Sequence, residues 1–220
     1  TRDYGAEIVI AKDGATGFAQ AAEIAAEEGR VLVHPFEGPF TTLGTATLGA
    51  EWAGQVHPSL DAIIVGVGGG GLISGVATAF KRLSPATQVI GVEPEGADTM
   101  HRSFASGVPE SRNPIDTIAD SLGAPMALPY SFGLCREYVD RLVLVSDQQI
   151  VAAMQLLFLD RKLAVEPAAA AALAALLGPL REDLRGKHVG LLLCGSNIDA
   201  PTFVDFLQRQ DLTMGSKPSD

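Results

Sequence analysis

Short runs of apolar and β-branched residues alternate along the chain with longer segments whose apolar residues recur at helical spacing. The short runs predict β-strands and the longer segments predict α-helices. The predicted strands are Glu7–Ala11, Val31–His34, Ala62–Val67, Gln88–Val92, Leu142–Val145 and Val189–Cys194. The predicted helices are Gly17–Glu28, Thr42–Val56, Leu72–Leu83, Thr99–Ala105, Ser146–Arg161, Pro167–Gly178 and Pro201–Gln208.

This alternation of strands and helices predicts an α/β fold with a mostly parallel, twisted sheet and helices on both faces. Ala62–Val67 is apolar throughout, which is typical of a strand covered on both sides. Ser146 and Gln149 have the spacing of a capping box, and Pro167 is a favoured first residue of a helix. Residues 94–128 are interrupted by proline and glycine, and we expect them to be mostly irregular.

Composition and charge narrow the functional class. The 220 residues are 47% hydrophobic and 19% charged, which suits a globular protein with its own core. The formal net charge is −10 and no cluster of Lys or Arg stands out, so we expect no nucleic-acid partner. No apolar run is long enough to span a bilayer, and we expect no membrane partner. The two cysteines lie far apart, which favours a reducing, cytoplasmic compartment.

The most informative local feature is the glycine-rich segment Gly66–Leu72, which follows an apolar strand and precedes a helix. Glycines allow a backbone to turn tightly and to approach a ligand closely. The N–H groups of such a loop, together with the positive end of the following helix, form an anion site. The segment therefore predicts a phosphate-binding loop.

The spacing alone leaves the identity of the phosphate compound open. Gly66, Gly68 and Gly71 match the G-x-G-x-x-G pattern of dinucleotide-binding folds, and Glu93 ends the next predicted strand. An NAD(P)-dependent oxidoreductase is therefore one interpretation, and an enzyme of another phosphorylated cofactor is a second. A tight turn without a ligand is disfavoured, because consecutive glycines lower stability.

A series of motifs from about residue 4 to 207 resembles the threonine dehydratase and serine racemase family. The matching segments, in the order of that family, are His34-Pro35-Phe36, Gly68–Leu72, Gly91–Ala97, Thr117–Asp120, Val145–Asp147, Glu166–Ala169 and Cys194–Ile198. The resemblance implies the large domain of a type II pyridoxal-phosphate fold at residues 40–210. It also implies a remnant of the small domain at residues 1–39, and we expect residues 211–220 to be a disordered tail.

The family resemblance implies β-elimination of L-threonine or L-serine to a 2-oxo acid and ammonia. It therefore implies pyridoxal 5′-phosphate as cofactor, a small amino acid as substrate and a homo-oligomer. By resemblance, Gly68, Gly69, Gly70, Gly71 and Leu72 hold the cofactor phosphate.

Cys194 stands where family members usually have Ser, so the resemblance makes it the partner of the pyridine nitrogen. A neutral thiol cannot strongly protonate the ring, unlike an acidic partner. The alternative is that Cys194 is a small buried apolar residue.

The sequence departs from the family in one important respect. The family's cofactor-binding lysine lies in a Ser-Phe-Lys-x-Arg context and its substrate loop reads Ser-Gly-Asn-His, and neither string occurs in these 220 residues. The lysines that do occur are Lys12, Lys81, Lys162, Lys187 and Lys217. We therefore assign no catalytic residue and expect the chain by itself to be an inactive fragment. A non-catalytic paralogue or subunit with the same fold is the alternative.

Three further positions carry expectations from the resemblance. Some family members bind a divalent cation through a Glu, a backbone carbonyl and an Asp; Glu93 and Ala97 match the first two, whereas Thr99 replaces the Asp. Ser121 replaces a glycine that faces the cofactor, so substrate preference is expected to differ. Glu166 is interpreted either as an acid at the start of a helix or as a catalytic group, and both remain open.

Overall fold

The computed structural model describes residues 1–209. It divides into two compact units, Thr1–Pro35 and a second unit that begins at Phe36. The predicted boundary between a small-domain remnant and a large domain falls nearby, after residue 39, and its interpretation stays a prediction. The predicted tail, residues 211–220, lies outside the described residues.

The first unit contains one α-helix, α1 (Gly14–Glu28). Asp13 caps this helix by accepting a hydrogen bond from Thr16 N (2.8 Å), and Gly29 ends it in the left-handed conformation. The predicted strands Glu7–Ala11 and Val31–His34 were wrong, because neither segment pairs with another strand. A short run of apolar, β-branched residues does not suffice for a strand, which forms only when its backbone groups find a hydrogen-bonded neighbour.

The second unit is built on a sheet of four parallel strands in the order β3-β2-β1-β4. The strands are β1 (Ala62–Gly66), β2 (Gln88–Pro94), β3 (Arg141–Val145) and β4 (Val189–Leu191). The helices of this unit are α2 (Pro39–Gln55), α3 (Gly71–Leu83), α4 (Thr99–Ser106), α5 (Pro129–Tyr138), α6 (Asp147–Arg161), α7 (Pro167–Leu177) and α8 (Ala200–Gln208). Short 3₁₀ turns occur at Arg2–Tyr4, Glu95–Ala97 and Asp120–Leu122.

The sheet has an apolar core on each face, as expected for an α/β fold with helices on both sides. Ile63 and Val65 of β1 point to one face, where they pack with residues of α3 and α5. Ala62 and Ile64 point to the other face, where they pack with α6, α7 and α8. The predicted fold class is therefore confirmed. No helix within residues 1–209 is long and apolar enough to cross a membrane.

The sequence pattern missed α5 and overestimated β4. Pro129–Tyr138 contains serine, glycine and aromatic residues of low helix propensity, and its helical form depends on burial of Ser131, Phe132 and Cys135. The predicted strand Val189–Cys194 ends at Leu191, where its ladder with β1 also ends. Residues 192–194 continue toward the carboxyl edge of the sheet as loop.

The sheet order places a crevice at the carboxyl ends of β1 and β4. From β1 the chain crosses to β2 on one side, whereas β4 returns to pair with the other side of β1. Ile64 pairs with Leu191, and Leu192 N donates to the carbonyl of Ile64 (3.1 Å). Ligands of open α/β sheets bind where the strand order reverses in this way. The fold therefore brings the glycine loop and the loop after β4 to one edge.

Candidate functional site

The glycine loop connects the end of β1 to the first turn of α3. Val67 N still donates to the carbonyl of Val92 (2.8 Å), and after it the chain leaves the sheet. Gly70 has φ = +90°, a conformation that side chains other than glycine rarely adopt. A β-carbon at Gly70 would lie 2.7 Å from Met100 Cε and 3.3 Å from Cys135 Sγ. Both the backbone angle and the available space therefore require glycine at this position.

The other glycines of the loop are in close contact with two neighbouring segments. A β-carbon at Gly69 would lie 2.2 Å from the ring of Phe36, and one at Gly71 would lie 2.5 Å from Phe36 Cα. A β-carbon at Gly68 would lie 3.2 Å from the backbone of Leu122. The loop can keep this path only with bare backbone, which leaves its amide groups as the chemistry it offers.

The amides of Gly68–Leu72 donate to no protein acceptor among residues 1–209, and the hydrogen bond from Ser74 N to the carbonyl of Gly70 (2.9 Å) is the first of the helical series. Two hydroxyl groups fix the opposite side of the peptide: Thr45 Oγ1 and Ser74 Oγ donate to the carbonyl of Gly71 at 2.9 and 3.1 Å. Unpaired amides at the N-terminus of a 13-residue helix fit a phosphate group.

A partly buried polar cluster holds the segment that contacts the glycine loop. The Glu37 carboxylate accepts hydrogen bonds from Tyr130 N (2.8 Å), Ser131 N (3.0 Å) and Ser131 Oγ (2.6 Å), and so caps α5. Ser131 Oγ also donates to the carbonyl of Phe36. The connection orients the segment that lies against the glycines, and nothing in the sequence pattern indicated it.

Cys135 lies under the same loop and is fully buried. Burial raises the pKa of its thiol to about 12, and the fields of Glu93 and Glu37 add to the increase. The neutral thiol lies 3.9 Å from the carbonyl of Gly70 as a weak donor. Cys135 is therefore a structural contact of the loop, and no motif in the sequence indicates this contact.

Cys194 follows β4 at the sheet edge and is exposed. Partial desolvation raises the pKa of its thiol, and the negative charge of Glu166 raises it further. The group at this position is consequently a protonated thiol near neutral pH. The alternative that Cys194 is merely a buried apolar residue does not suit its exposure.

Glu166 makes side-chain contacts that its place at the start of a helix does not predict. It occupies the N-cap position of α7, but its side chain makes no capping bond to that helix. Instead Oε1 accepts a hydrogen bond from Ser121 Oγ (3.0 Å), and Oε2 accepts one from Asn197 N (2.8 Å). Its own amide donates to the carbonyl of Gly195 (3.2 Å). The carboxylate thus joins the Asp120–Leu122 turn to the loop that carries Cys194.

These contacts link most of the predicted site residues into one arrangement. The Asp120–Leu122 turn touches Gly68 through Leu122 and touches Glu166 through Ser121. Through Asn197, Glu166 in turn reaches the loop after β4. The glycine loop, Ser121, Glu166 and the Cys194 loop therefore meet at the carboxyl edge of β1 and β4. Thr45, Glu37 and Cys135 lack a sequence signal, whereas Phe36 lies inside a motif and had no assigned role.

The predicted cation ligands lie elsewhere, with Glu93 near the carboxyl end of β2 and Ala97 in the 3₁₀ turn that follows it. Glu93 is fully buried, and its two oxygens accept hydrogen bonds from Met100 N (2.8 Å) and His101 N (2.7 Å) at the start of α4. Burial raises its pKa to about 8, against the lowering effect of these two bonds. The carboxyl group thus holds the start of α4 in place.

The neighbouring oxygens in this region are also engaged. Asp98 pairs with Arg102 (2.8 Å) and with Arg112, whose guanidinium also donates to the carbonyl of Glu95 (3.0 Å). The Thr99 hydroxyl donates to the carbonyl of Ala124 (2.8 Å). Within residues 1–209 no three His, Cys, Asp or Glu residues are grouped so that they could hold a metal. These residues do not fit a hard cation, and coordination by Glu93 and Ala97 stays a prediction that this geometry does not favour.

Comparison with known proteins identifies close relatives. The sequence model of the family described as "Pyridoxal-phosphate dependent enzyme" matches residues 1–195. Phenylserine dehydratase from Ralstonia pickettii is 58% identical over 206 residues, which cover 94% of this chain and 63% of that protein. L-threonine ammonia-lyase from Geobacter sulfurreducens is 38% identical over 210 residues, which cover 95% of this chain and 52% of that protein. The chain therefore spans only part of the length of these relatives.

Solved structures share the fold. The structure of maize serine racemase matches with a TM-score of 0.84 and 33% sequence identity. The match covers 93% of this chain and 63% of that one. The parallel sheet and its helices therefore follow an architecture already known in a related protein.

Proposed function

Since this chain belongs to the family of pyridoxal-phosphate-dependent enzymes, we propose that it carries the cofactor-phosphate site of an ammonia-lyase that acts on a 3-hydroxy amino acid. Members of this family use pyridoxal 5′-phosphate. The observation that carries the proposal is the row of unpartnered amides at Gly68–Leu72, at the N-terminus of α3. The phosphate is the part of the cofactor that such a donor set recognises.

The residues of the loop bind by charge and by shape. A phosphate dianion needs several converging donors, and the bare backbone provides them without the side chains that would block its approach. The hydroxyls of Thr45 and Ser74 hold the Gly71 carbonyl, which keeps the peptide plane of this turn in one orientation. The site thus requires little reorganisation on binding, which favours affinity.

Cys194 is proposed as the partner of the cofactor ring nitrogen. When bound, pyridoxal phosphate withdraws electrons from the α-carbon of an amino acid, so that the α-proton and the β-hydroxyl can be lost. The protonated thiol of Cys194 can donate a weak hydrogen bond to an unprotonated ring nitrogen, and it cannot transfer a full positive charge. With such a partner the ring would withdraw electrons less strongly than it would beside an acidic group that protonates it.

The substrate class follows from the relatives and remains a proposal. Phenylserine and threonine, named for two of them, share a hydroxyl on the β-carbon and differ in the group beyond it. The chain is more similar to the phenylserine enzyme, so we extend the expected substrates from threonine and serine to 3-phenylserine. In each case the α-proton and the β-hydroxyl leave as water, and hydrolysis of the resulting enamine by another water molecule then releases ammonia and gives a 2-oxo acid.

The residue that transfers the α-proton is not assigned within this chain. Lys81 donates to Asp140 (2.7 Å) and to the carbonyl of Thr87 (3.0 Å), and Lys162 donates to the carbonyl of Leu159 (2.7 Å). These lysines are held in structural contacts away from the glycine loop. We therefore keep the proposal that this chain alone is inactive, and a non-catalytic relative with the same fold remains the alternative.

The dinucleotide interpretation of the glycine spacing is not favoured. The family match extends over residues 1–195, well beyond the loop, and concerns enzymes of a different cofactor. A binding experiment separates the two ligands directly. Pyridoxine 5′-phosphate has the ring and phosphate of the cofactor but no aldehyde, so it cannot react with surface lysines.

We expect pyridoxine 5′-phosphate to raise the melting temperature of the chain and to bind in a saturable manner, while NAD at the same concentration has no effect. Displacement by inorganic phosphate at higher concentration would locate the contact at the phosphate end. Stabilisation by NAD, with none by the pyridoxine compound, would overturn the proposal.

A further inference from the structure

The Glu166 carboxylate connects two segments of the candidate site, and the proposed cofactor chemistry gives it no role. It is 7% exposed and receives one hydrogen bond on each oxygen, from Ser121 Oγ and from Asn197 N. Its partners lie 45 and 31 positions away along the chain, so the bonds join separate segments. A carboxylate in such a position has its orientation fixed from both sides.

The turn that contains Cys194 is built around this carboxylate. Gly195 has φ = +109°, and a β-carbon there would lie 2.7 Å from Glu166 Cδ and 2.7 Å from Oε1. The Gly195 carbonyl accepts the amide of Glu166, and the amide of Asn197 donates to its side chain. Gly195 and Asn197 therefore both contact Glu166, and Cys194 is the residue directly before this turn.

Two other carboxylates are relevant to this turn: Asp199 follows it in the sequence, and Asp120 precedes Ser121. Both accept hydrogen bonds from residues close to them in the sequence. Asp120 accepts a hydrogen bond from Ser121 N (2.8 Å). Asp199 caps α8 through Thr202 N (3.0 Å) and the Thr202 hydroxyl (2.7 Å). Burial raises the pKa of the Cys194 thiol, and the negative charge of Glu166 raises it further.

We propose that Glu166 is a positioning residue of the cofactor site: its carboxylate fixes the Cys194–Asn197 turn against Ser121 and places a negative charge beside that turn. The proposal rests on the function proposed above for Cys194. A thiolate could only accept a hydrogen bond and would favour a protonated ring nitrogen, whereas a thiol can donate to an unprotonated one. The negative charge of Glu166 adds to the preference of Cys194 for the neutral thiol, and a neutral thiol suits an unprotonated ring nitrogen.

Three variants of the full chain separate charge from geometry. Glu166→Gln keeps the shape and removes the charge. Glu166→Asp keeps the charge and shortens the side chain, so that its oxygens no longer reach both Ser121 and Asn197. Asp199→Asn is the matched control, because asparagine is as good a helix N-cap as aspartate and the change removes one charge close to the same turn.

The readouts are thiol alkylation and amide exchange. The rate of iodoacetamide alkylation at Cys194, measured by peptide mass spectrometry from pH 6 to pH 10, reports the thiolate fraction. Cys135 is fully buried and serves as an internal check of folding, since it reacts only if the core opens. Hydrogen exchange of residues 195–198 reports how firmly the turn is held.

We expect Glu166→Gln to increase the Cys194 alkylation rate at pH 8 by roughly threefold to tenfold, as loss of a nearby negative charge lowers a thiol pKa. Glu166→Asp should leave the pH profile close to wild type but should speed exchange at Asn197. Asp199→Asn should change neither. An unchanged pH profile in Glu166→Gln, or unchanged exchange in Glu166→Asp, would overturn the corresponding half of the proposal.

These measurements use the chain without cofactor. They can therefore refute the role of Glu166 without refuting the proposed cofactor site. If pyridoxine 5′-phosphate binds while Cys194 ignores the charge at residue 166, the inference fails and the cofactor site stands. If the Glu166 effects occur but pyridoxine 5′-phosphate does not bind, the proposed function fails, and the positioning role in a cofactor site fails with it.

Discussion

Gly69 and Phe36 lie so close that a β-carbon on the glycine would be 2.2 Å from the aromatic ring. The backbone of the glycine loop lies against Phe36, whose carbonyl accepts a hydrogen bond from Ser131 of α5. The phosphate loop is thus shaped by packing from outside as well as by its own flexibility. We therefore expect the loop to tolerate no side chain at the glycines that contact Phe36.

We expect Gly69→Ala and Gly71→Ala to weaken binding of pyridoxine 5′-phosphate by about tenfold or more, since one displaced amide donor costs at least about 1.4 kcal/mol. Gly54→Ala is the matched control, because Gly54 lies in α2 with open space around its Cα. Fluorescence titration gives the dissociation constants. Equal affinities in all three variants would show that the loop does not hold the ligand.

Occupation of the site should protect Cys194. If the ring of the cofactor lies against this thiol, saturating pyridoxine 5′-phosphate should slow alkylation of Cys194 at pH 8 by about fivefold or more, as the exposed sulfur becomes covered. Inorganic phosphate, which fills only the glycine loop, should give no protection. Protection by both compounds to the same degree would place the effect in the loop and argue against a contact with the ring.

Stability should depend on pH through Glu93. Burial raises its pKa from 4.5 to about 8, so between these values the folded state holds a proton that the unfolded state has released. The free energy of unfolding therefore falls as the pH rises through this window. We expect Glu93→Gln to reduce that fall by on the order of 1 to 3 kcal/mol, because the variant has no proton to lose.

Urea denaturation at intervals from pH 5 to pH 8 measures this slope. Glu182→Gln is the control, since Glu182 lies on the surface in a pair that is mostly solvated. A slope in Glu93→Gln equal to that of the wild type would show that Glu93 does not titrate in this range.

Divalent cations should not stabilise the region after β2. The Asp98 carboxylate is already paired with Arg102 and Arg112, so Mg²⁺ or Ca²⁺ would have to displace a guanidinium group. We expect no rise in melting temperature with either ion and no change with a chelator. A saturable rise would restore Glu93 and Ala97 as ligands.

The same pairing gives Arg112 a structural role. Arg112→Leu should lower the free energy of unfolding by about 1 to 3 kcal/mol, because Asp98 and the carbonyl of Glu95 each lose a partly buried partner. Arg185→Leu, which breaks an exposed pair with Glu182, should change it by less than about 0.5 kcal/mol. Equal effects of the two substitutions in urea denaturation would contradict this role.

Local patterns predicted those parts of the fold whose signals are contained in one segment. The run Ala62–Val67, the glycines after it and the capping box at Ser146 all have short-range physical causes, and the structure contains each of them. The helix at Pro129–Tyr138 was missed because its stability comes from burial against α3 and not from its own propensity. The strands predicted before residue 35 failed because pairing is a property of two segments.

The candidate site shows the same division. The glycine loop could be found from sequence because close approach of a ligand requires glycine itself. The connections of Glu166 to Ser121 and Asn197 could not be found, since a helix-start acid looks the same in sequence whichever segment it bonds. The contact between Phe36 and the glycine loop could not be found either, because it joins two segments that are more than 30 residues apart in the sequence.

The contrasting environments of Cys135 and Cys194 have a practical consequence. One sulfur is sealed beneath the glycine loop with a pKa of about 12, and the other stands exposed at the mouth of the same crevice. A thiol-reactive dye should therefore attach at a single known place without any engineering of the chain. A dye attached there would occupy the space proposed for the cofactor ring, so labelling and binding of pyridoxine 5′-phosphate should exclude each other.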